Sequence, residues 1–544
     1  MTIRLGTMQD WPLNVMRLVD HAEREHGENE VVSAWADGSL TRTNWGEITA
    51  KARKMAQALE AAGIGKGDRV ATLAMNHERH LISWYGTIGM GGVLHTINPR
   101  LFPEQLAYIA NHAEDRVLLY DAAFKPLVDA MKPAWKTIEK YVVYDPPADW
   151  EGDEGFEDWI AAQDGDYQWV DADERDPIGL CYTSGTTGNP KGVIYEHRSM
   201  VLHALAEIQP DCFNLSERSC ALPIVPMFHA NAWGLPWAAP LTGCKLVLSA
   251  DYSAPRMVDL FTNEKVTHSA GVPTIWVDMI AHIEKTGANL GALETVTIGG
   301  SAAPRAMIKW FRARGIDVGH AWGMTELSPI GSLAGKPAGW DEMSEEEQLD
   351  YTARQGRVPF GIEMRIVGDD GEILPRDGKS SGNLQVRGAW VVDRYFKADE
   401  PATDEDGWFD TGDVACLHPD GSMQITDRSK DVIKSGGEWI SSIELENAAV
   451  GIDGVHEAAS IGIFHPKWDE RPLLVCVREP GSEITAEEVI AGLDGQVAKW
   501  WLPDAVEFVD ELPHTATGKL SKKTLREQFK DYRFEGVEEM VGRD

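Results

Sequence analysis

The feature that most restricts this 544-residue chain is an alternation, over its first two hundred positions, of short apolar runs with amphipathic helical stretches. Ile48, Ala52, Met55, Leu59 and Ala62 fall on one helical face, which stops at the glycines of GIGKGD. VATLAMN (70–76) and VLHTIN (93–98) predict strands, Pro103 opens a helix over PEQLAYIANHA, and RVLLYD (116–121) and YVVYD (141–145) predict further strands. Parallel strands need crossover connections, so this alternation implies parallel sheets covered by helices. Residues 146–176, rich in Asp, Pro and Trp, predict a surface excursion, and 341–355 a charged surface element. From 362 to 427 closely spaced turns predict a small barrel or sheet. The remainder has its own strands (AASIGIF, PLLVCVRE, AVEFVDE) and helices (ITAEEVIAGLDGQVAKW, SKKTLREQF). The predicted architecture is α/β: a large body of parallel sheets with a β-barrel-like subdomain, residues 1–429, followed by a small α+β domain, 430–544.

Charge narrows the ligand. With 51 Lys+Arg against 86 Asp+Glu the chain carries a net −35, whereas phosphate-backbone affinity comes from clustered Lys and Arg, so nucleic acid is excluded and a small molecule is the default partner. Six scattered cysteines form no CxxC pair, which predicts reduced thiols and a cytoplasmic setting. The first residues lack the apolar core of a signal peptide, and no apolar run of about 18 residues predicts a transmembrane segment.

The most informative stretch is Thr183-Ser184-Gly185-Thr186-Thr187-Gly188-Asn189-Pro190-Lys191-Gly192. Its glycines permit close backbone approach, its hydroxyls offer donors and a metal ligand, and its lysine supplies charge, a combination suited to polyphosphate, although GxxxxGK[ST] is not met. A GxSxG match at Gly378-Lys379-Ser380-Ser381-Gly382 would suggest a serine hydrolase, but it closes a polar turn and precedes a strand-like run, where a nucleophile elbow opens a helix. Neither GxGxxG nor HExxH occurs.

YTSGTTGNPKG resembles the phosphate loop of the adenylate-forming superfamily, which contains acyl-CoA synthetases, luciferases and amino-acid adenylation domains. PMFHANAWG (226–234), IGGSAAP (298–304), HAWGMTE (320–326), GWFDTGD (407–413), DRSKDVIKSGGEWISSIELE (427–446) and PHTATGK (513–519) follow in the superfamily's order, so the resemblance covers essentially the whole chain. It implies ATP, CoA and Mg²⁺, a carboxylic acid substrate, a homodimer, and a mobile C-terminal cap turning on Lys430. A carboxylate must approach the α-phosphate as pyrophosphate leaves, so intervening positive charge is needed, while the acid, with a pKa near 4, needs no base. By resemblance Lys519 bridges carboxylate and α-phosphate, and Thr186 and Glu326 hold Mg²⁺. ATP contacts are implied for Thr183, Ser184, Gly185, Thr187, Gly188, Lys191, Gly300, Ser301, Ala302, His320, Trp322, Gly323, Met324, Thr325, Asp413 and Arg428. Of these Trp322 faces adenine, Asp413 the ribose, and Arg428 a second ribose hydroxyl. A CoA tunnel is implied along Lys434, Ser435, Gly436, Gly437, Glu438 and Trp439, with small residues on one wall. A non-catalytic nucleotide-binding protein would have lost Lys519, Glu326 or the loop, and none is missing.

PMFHANAWG holds no acidic residue to meet an amino acid's ammonium, so a free-standing acyl-CoA ligase is expected. The resemblance puts His229, Trp233, Trp237, Gly300 and Pro329 around the acyl group, with His229 as gate or thiol base. Two tryptophans in five residues fill space that a long tail requires, so a short or medium chain is expected. FHANAWGLPW, HAWGMTELSPIG and KSGGEWISSIE are similar to bacterial medium-chain ligases, including the methylmercaptopropionate-CoA ligases. 3-Methylmercaptopropionate is therefore the leading specific acid, with medium-chain fatty acids and aryl acids as alternatives.

Overall fold

The structure is a computed structural model that describes residues 7–183, 189–368, 370–435, 438–514 and 520–534. Two large sheets build the body. One runs, in spatial order, Ile330–Leu333, Asp317–Gly323, Thr295–Ile298, His268–Gly271, Cys220–Pro223, Lys245–Ser249, Glu30–Ala34 and Leu40–Asn44, parallel throughout except at its two edge strands. The other runs Glu154–Gly155, Lys140–Val143, Asp115–Tyr120, Arg69–Leu73, Val93–Thr96, Pro177–Tyr182 and Gly192–Glu196, with only the last pair antiparallel.

The helices form where periodicity and caps agree. Asn44 accepts the Glu47 amide at 2.8 Å and starts the helix Trp45–Ala61, which buries Ile48, Ala52, Met55 and Leu59. The Pro103–Ala113 helix begins at its proline, whose missing N–H costs nothing in a first turn. The acidic tract 146–176 is more than an excursion: it contributes the edge strand Glu154–Gly155 and the helix Phe156–Ala161, whose Phe156, Trp159 and Ile160 are buried. Likewise the charged tract after 341 holds the helix Glu345–Ala353, with Leu349 and Tyr351 buried.

Strands Ile362–Val367, Ser381–Gly388, Phe409–Leu417 and Met423–Arg428 form an open four-stranded antiparallel sheet rather than a closed barrel, since first and last strands do not pair. The small C-terminal domain has its own sheet, Glu438–Ile440, Ile433–Ser435, Asp469–Arg478 and Val455–His465, with Ala505–Phe508 beside Asp469–Arg478. Along Asp469–Arg478 the residues Leu474 and Cys476 enter one core and Leu473 and Val475 the other, the two-residue period of a strand covered on both faces. The long helix expected over ITAEEVIAGLDGQVAKW is only Ala486–Leu493, because Gly495 takes a left-handed φ of +85° and turns the chain.

The body and small domain meet through a buried polar cluster. Asp427, at the end of the antiparallel sheet, accepts from the Ser442 amide at 2.7 Å and its hydroxyl at 2.6 Å. Lys522 donates to Ser442 and pairs with Glu446 at 2.7 Å. Among the described residues no helix is long and apolar enough to cross a membrane.

Candidate active site

A cavity of about 280 Å³ opens where the strands of both body sheets end. Its lining follows strand C-termini: Asn98 and Arg100 after Val93–Thr96, Thr183 after Pro177–Tyr182, Ile224 and Val225 after Cys220–Pro223, Gly299 and Gly300 after Thr295–Ile298. The carboxyl ends of parallel strands are where α/β folds place ligands, because loops there diverge and leave a crevice.

At one end stands Trp322, whose indole N–H donates to Asp413 at 2.8 Å. The Asp317–Gly323 strand shifts register beside Trp322, and Gly331 backs the ring: a Cβ there would come within 2.3 Å of it. Asp413 faces Arg428 across the antiparallel register, with Nε and carboxylate 3.7 Å apart. Glu326 sits in the turn Thr325–Leu327, 7 % exposed, and accepts the Tyr395 hydroxyl at 2.9 Å. Burial pushes its carboxyl above the usual range, while the Tyr395 bond and the Lys191 and Arg428 charges pull it back. Lys191 lies 4.6 Å above the Tyr395 ring, so cation, phenol and carboxylate form one unit. Thr325, Gly323 and Met324 complete this end, the Thr325 carbonyl held by the Tyr195 hydroxyl at 2.9 Å.

Trp233, Phe228 and the half-buried His229 also line the cavity, as does Pro329, whose carbonyl accepts the Met324 amide at 3.0 Å. Ala230, Asn231, Ala232 and Trp233 all take positive φ, a left-handed run that is costly without glycine and re-aims Trp233 into the cavity. Trp233 lies against Gly299, where a Cβ would be 3.1 Å from its ring.

Several expected residues stand elsewhere. Trp237, expected in the acyl pocket, is 1 % exposed and does not line the cavity. It begins a helical face that packs on Trp84 and Tyr85, because the helix Leu235–Thr242 turns it away from Trp233. His320 is buried beneath the cavity, its Nε2 accepting the Ala303 amide at 3.2 Å and its Nδ1 donating to the Ala353 carbonyl at 3.0 Å. Burial pushes its ring down to about 4, so it is a neutral support for the 300–303 loop. Ser301 and Ala302 lie on that loop outside the lining. Lys430 and Lys434 are exposed, Ser435 accepts from Arg471 at 3.2 Å, and Glu438 and Trp439 lie on the strand Glu438–Ile440. Ser184, Gly185, Thr186, Thr187, Gly188, Gly436, Gly437 and Lys519 lie outside the described residues. Ser380, of the GxSxG match, bonds Asp377 at 2.9 Å in a turn before a strand, which disposes of a nucleophile elbow.

The lining also holds residues no motif announced: Asn98, Arg100, Phe213, Tyr252, Val272 and Ile275. Tyr395 is similarly silent in sequence. The usable signal was positional, since Asn98 closes and Arg100 follows a predicted parallel strand, VLHTIN.

A two-sheet α/β body with a cavity at its strand ends, joined to a small α+β domain, defines a two-domain ligand-binding enzyme. The AMP-binding enzyme family model matches residues 19–396, and the model of the AMP-binding enzyme C-terminal domain matches 444–519. A 3-methylmercaptopropionyl-CoA ligase of Ruegeria lacuscaerulensis is 50 % identical over 97 % of this chain and 99 % of its own length. A medium-chain-fatty-acid–CoA ligase of Ectopseudomonas oleovorans is 46 % identical over 97 % and 98 %. A crystal structure of a benzoate CoA ligase from Burkholderia xenovorans superposes with a TM-score of 0.81 at 24 % identity, covering 95 % of this chain and all of that one. The chain belongs to the AMP-binding enzyme family, among its adenylate-forming acyl-CoA ligases. Its enzyme class is that of the AMP-forming acid–thiol ligases, for which ATP and CoA are co-substrates.

Proposed function

We propose that this enzyme converts 3-methylmercaptopropionate, ATP and CoA to the acyl-CoA thioester, AMP and pyrophosphate. The observation that carries the reading is one cavity lined by Trp322, which bonds Asp413, and by Glu326, Trp233 and Pro329. A cavity of about 280 Å³ that takes part of a nucleotide as well leaves the acid a short space beside Trp233. The 50 % identical Ruegeria relative supports the choice of acid; the Ectopseudomonas relative favours a medium-chain fatty acid as the second reading.

In the first step a carboxylate oxygen attacks the α-phosphorus, and the bond from that phosphorus to pyrophosphate breaks. The acid is already ionised, so Lys519 is assigned to bridge the two anions and lower their repulsion. Trp322 offers its face to adenine with its edge fixed by Asp413, which with Arg428 takes the ribose hydroxyls. Thr183 and the loop through Lys191 cradle the phosphates. Thr186 and Glu326 are the assigned Mg²⁺ ligands. The fit is in the donor chemistry: Glu326 brings one hard carboxylate to the cavity, and among the described residues no cluster of three His, Cys, Asp or Glu could hold a metal alone. An ion shared with substrate phosphates needs no more than that. When bound, it supplies positive charge against the phosphates.

In the second step the CoA sulfur attacks the acyl carbon and AMP leaves with the former carboxylate oxygen. A thiol of pKa about 8.5 is partly ionised, so His229 is assigned as a gate between acyl pocket and tunnel rather than as a base. Residues 434–439 form the proposed tunnel wall. Lys430 is the proposed hinge between a body of residues 1–429 and a cap of 430–544. It lies between Met423–Arg428 of the body's antiparallel sheet and Ile433–Ser435 of the cap sheet. A cytoplasmic homodimer completes the reading.

The test is a screen of acids for AMP release that requires both ATP and CoA. Butyrate, hexanoate, octanoate and an aryl acid compete against 3-methylmercaptopropionate by kcat/KM. Preference for the thioether acid is expected; clear preference for octanoate or longer would move the assignment to the second reading.

A further inference from the structure

Behind the Trp233 end lies a buried pair that the proposed chemistry does not use. The helix His197–Glu207 carries His203, 1 % exposed, and Glu207, fully buried, one turn apart. His203 Nε2 accepts the Ile330 amide at 3.2 Å, so its neutral ring carries the proton on Nδ1, facing Glu207 Oε2 at 3.6 Å. That distance is too long for a hydrogen bond, and among the described residues both Glu207 oxygens and His203 Nδ1 lack any such partner. Burial pushes the Glu207 carboxyl well above its usual range and the His203 ring down to about 3, each toward its neutral form.

Two cavity-lining residues, Ile330 and Phe213, and Gly234 beside the lining residue Trp233 connect the cavity wall to this helix. Ile330 is held through its amide by His203 and through its carbonyl by the Trp390 indole at 2.9 Å. Phe213 donates its amide to the Glu207 carbonyl at 2.9 Å. Gly234, next to Trp233, has φ +88°, and a Cβ there would come within 2.4 Å of Glu207 Oε2 and 2.6 Å of His203. At Ile330 and beside Trp233 the wall is therefore one residue thick, and immediately beyond it stand the unbonded Nδ1 of His203 and the Glu207 carboxyl.

We propose that Glu207 is a specificity-determining residue that sets the depth of the acyl pocket. An alkyl tail long enough to push past Trp233, Phe213 and Ile330 would be pressed against a buried carboxyl and imidazole. It can offer them no hydrogen bond, and it excludes the water that could. A short acid ends before that point and meets only the apolar wall. The inference rests on the reading of the Trp233 end as the acyl pocket.

The experiment measures kcat/KM for octanoate and butyrate in the wild type, Glu207→Gln and Glu207→Met. Methionine matches glutamate in length and flexibility but removes the polar end. The octanoate-to-butyrate ratio is expected to rise about tenfold in the Met variant and to change by less than about threefold in the Gln variant. General damage to the fold lowers both acids together and leaves the ratio unmoved. An unchanged ratio in the Met variant, or an equal rise in Gln, overturns the proposal. Should the Met variant not fold, Glu207→Ala must raise the same ratio, and failure to do so overturns it equally. A wild type that activates neither these acids nor the thioether acid overturns the acyl-pocket reading itself.

Discussion

The hydrogen bond from Trp322 to Asp413 joins two residues 91 positions apart into one unit, so neither is replaceable alone. Trp322→Phe keeps an aromatic face but leaves Asp413 without its indole donor. A net loss of about 1 kcal/mol per hydrogen bond predicts a rise in KM for ATP of about fivefold, with kcat less affected, checked by ATP titration. Tyr395 acts on Glu326 in the same indirect way. Its hydroxyl favours the charged carboxylate, which burial disfavours, so Tyr395→Phe raises the Glu326 pKa further. Activity that needs the ionised carboxylate is lost as pH falls through that pKa. The acid limb of the kcat/KM profile is therefore expected to move to higher pH in the variant, and an unmoved limb would separate Tyr395 from the proposed role of Glu326. The sequence announced Trp322, Asp413 and Glu326 because each stands in a motif whose chemistry can be stated locally. Tyr395 was silent, since its value arises only when the 390s loop folds over Glu326. Trp237 was misplaced because spacing in sequence does not tell which way a helix turns after a left-handed run.

At the scale of elements, the junction cluster is the feature with measurable consequences. Lys522 is buried against Glu446 and beside Asp427, and burial pushes Glu446 up to about 7 and Asp427 above its usual range. Lys522→Met removes the one cation that, among the described residues, touches the Asp427–Ser442–Glu446 cluster and is expected to cost about 3–5 kcal/mol, read by denaturant unfolding at neutral pH. The cost has a sign in pH. A carboxyl whose folded pKa exceeds its unfolded value holds a proton that the unfolded chain releases above about 4.5, so stability falls as pH rises from there toward the folded pKa. Without Lys522 the folded pKa values rise, and the variant should lose stability over a wider range than the wild type, with the gap closing in acid. Parallel strands and their helices were legible because apolar runs and caps are local signals. The strand and helix inside 146–176 were not, since an acidic, Trp-rich tract reads as surface until Phe156, Trp159 and Ile160 find a neighbouring sheet edge. The 362–427 region predicted strands correctly but not closure, which depends on pairing between chain-distant edges.

At the scale of the whole molecule, the two proposed half-reactions share one cavity and one C-terminal domain. Lys519→Ala should abolish acid-dependent pyrophosphate exchange yet leave reaction of supplied acyl-adenylate with CoA. Gly437→Leu should do the reverse, and equal loss of both steps in either variant would contradict the division of labour. The net charge of −35 fits this economy: ATP and CoA are anions, so they must be attracted locally, and the cations proposed for that are few, Lys191, Arg428, Lys434 and Lys519. The central claim, a carboxylate attack on the α-phosphorus followed by thiol attack on the acyl carbon, leaves a mark on the products. With the acid labelled by ¹⁸O in its carboxylate, and ATP and CoA unlabelled, mass spectrometry of the AMP is expected to find one ¹⁸O, carried over from the acid through the acyl-adenylate. AMP free of label, or label recovered in inorganic phosphate or pyrophosphate, would contradict the account.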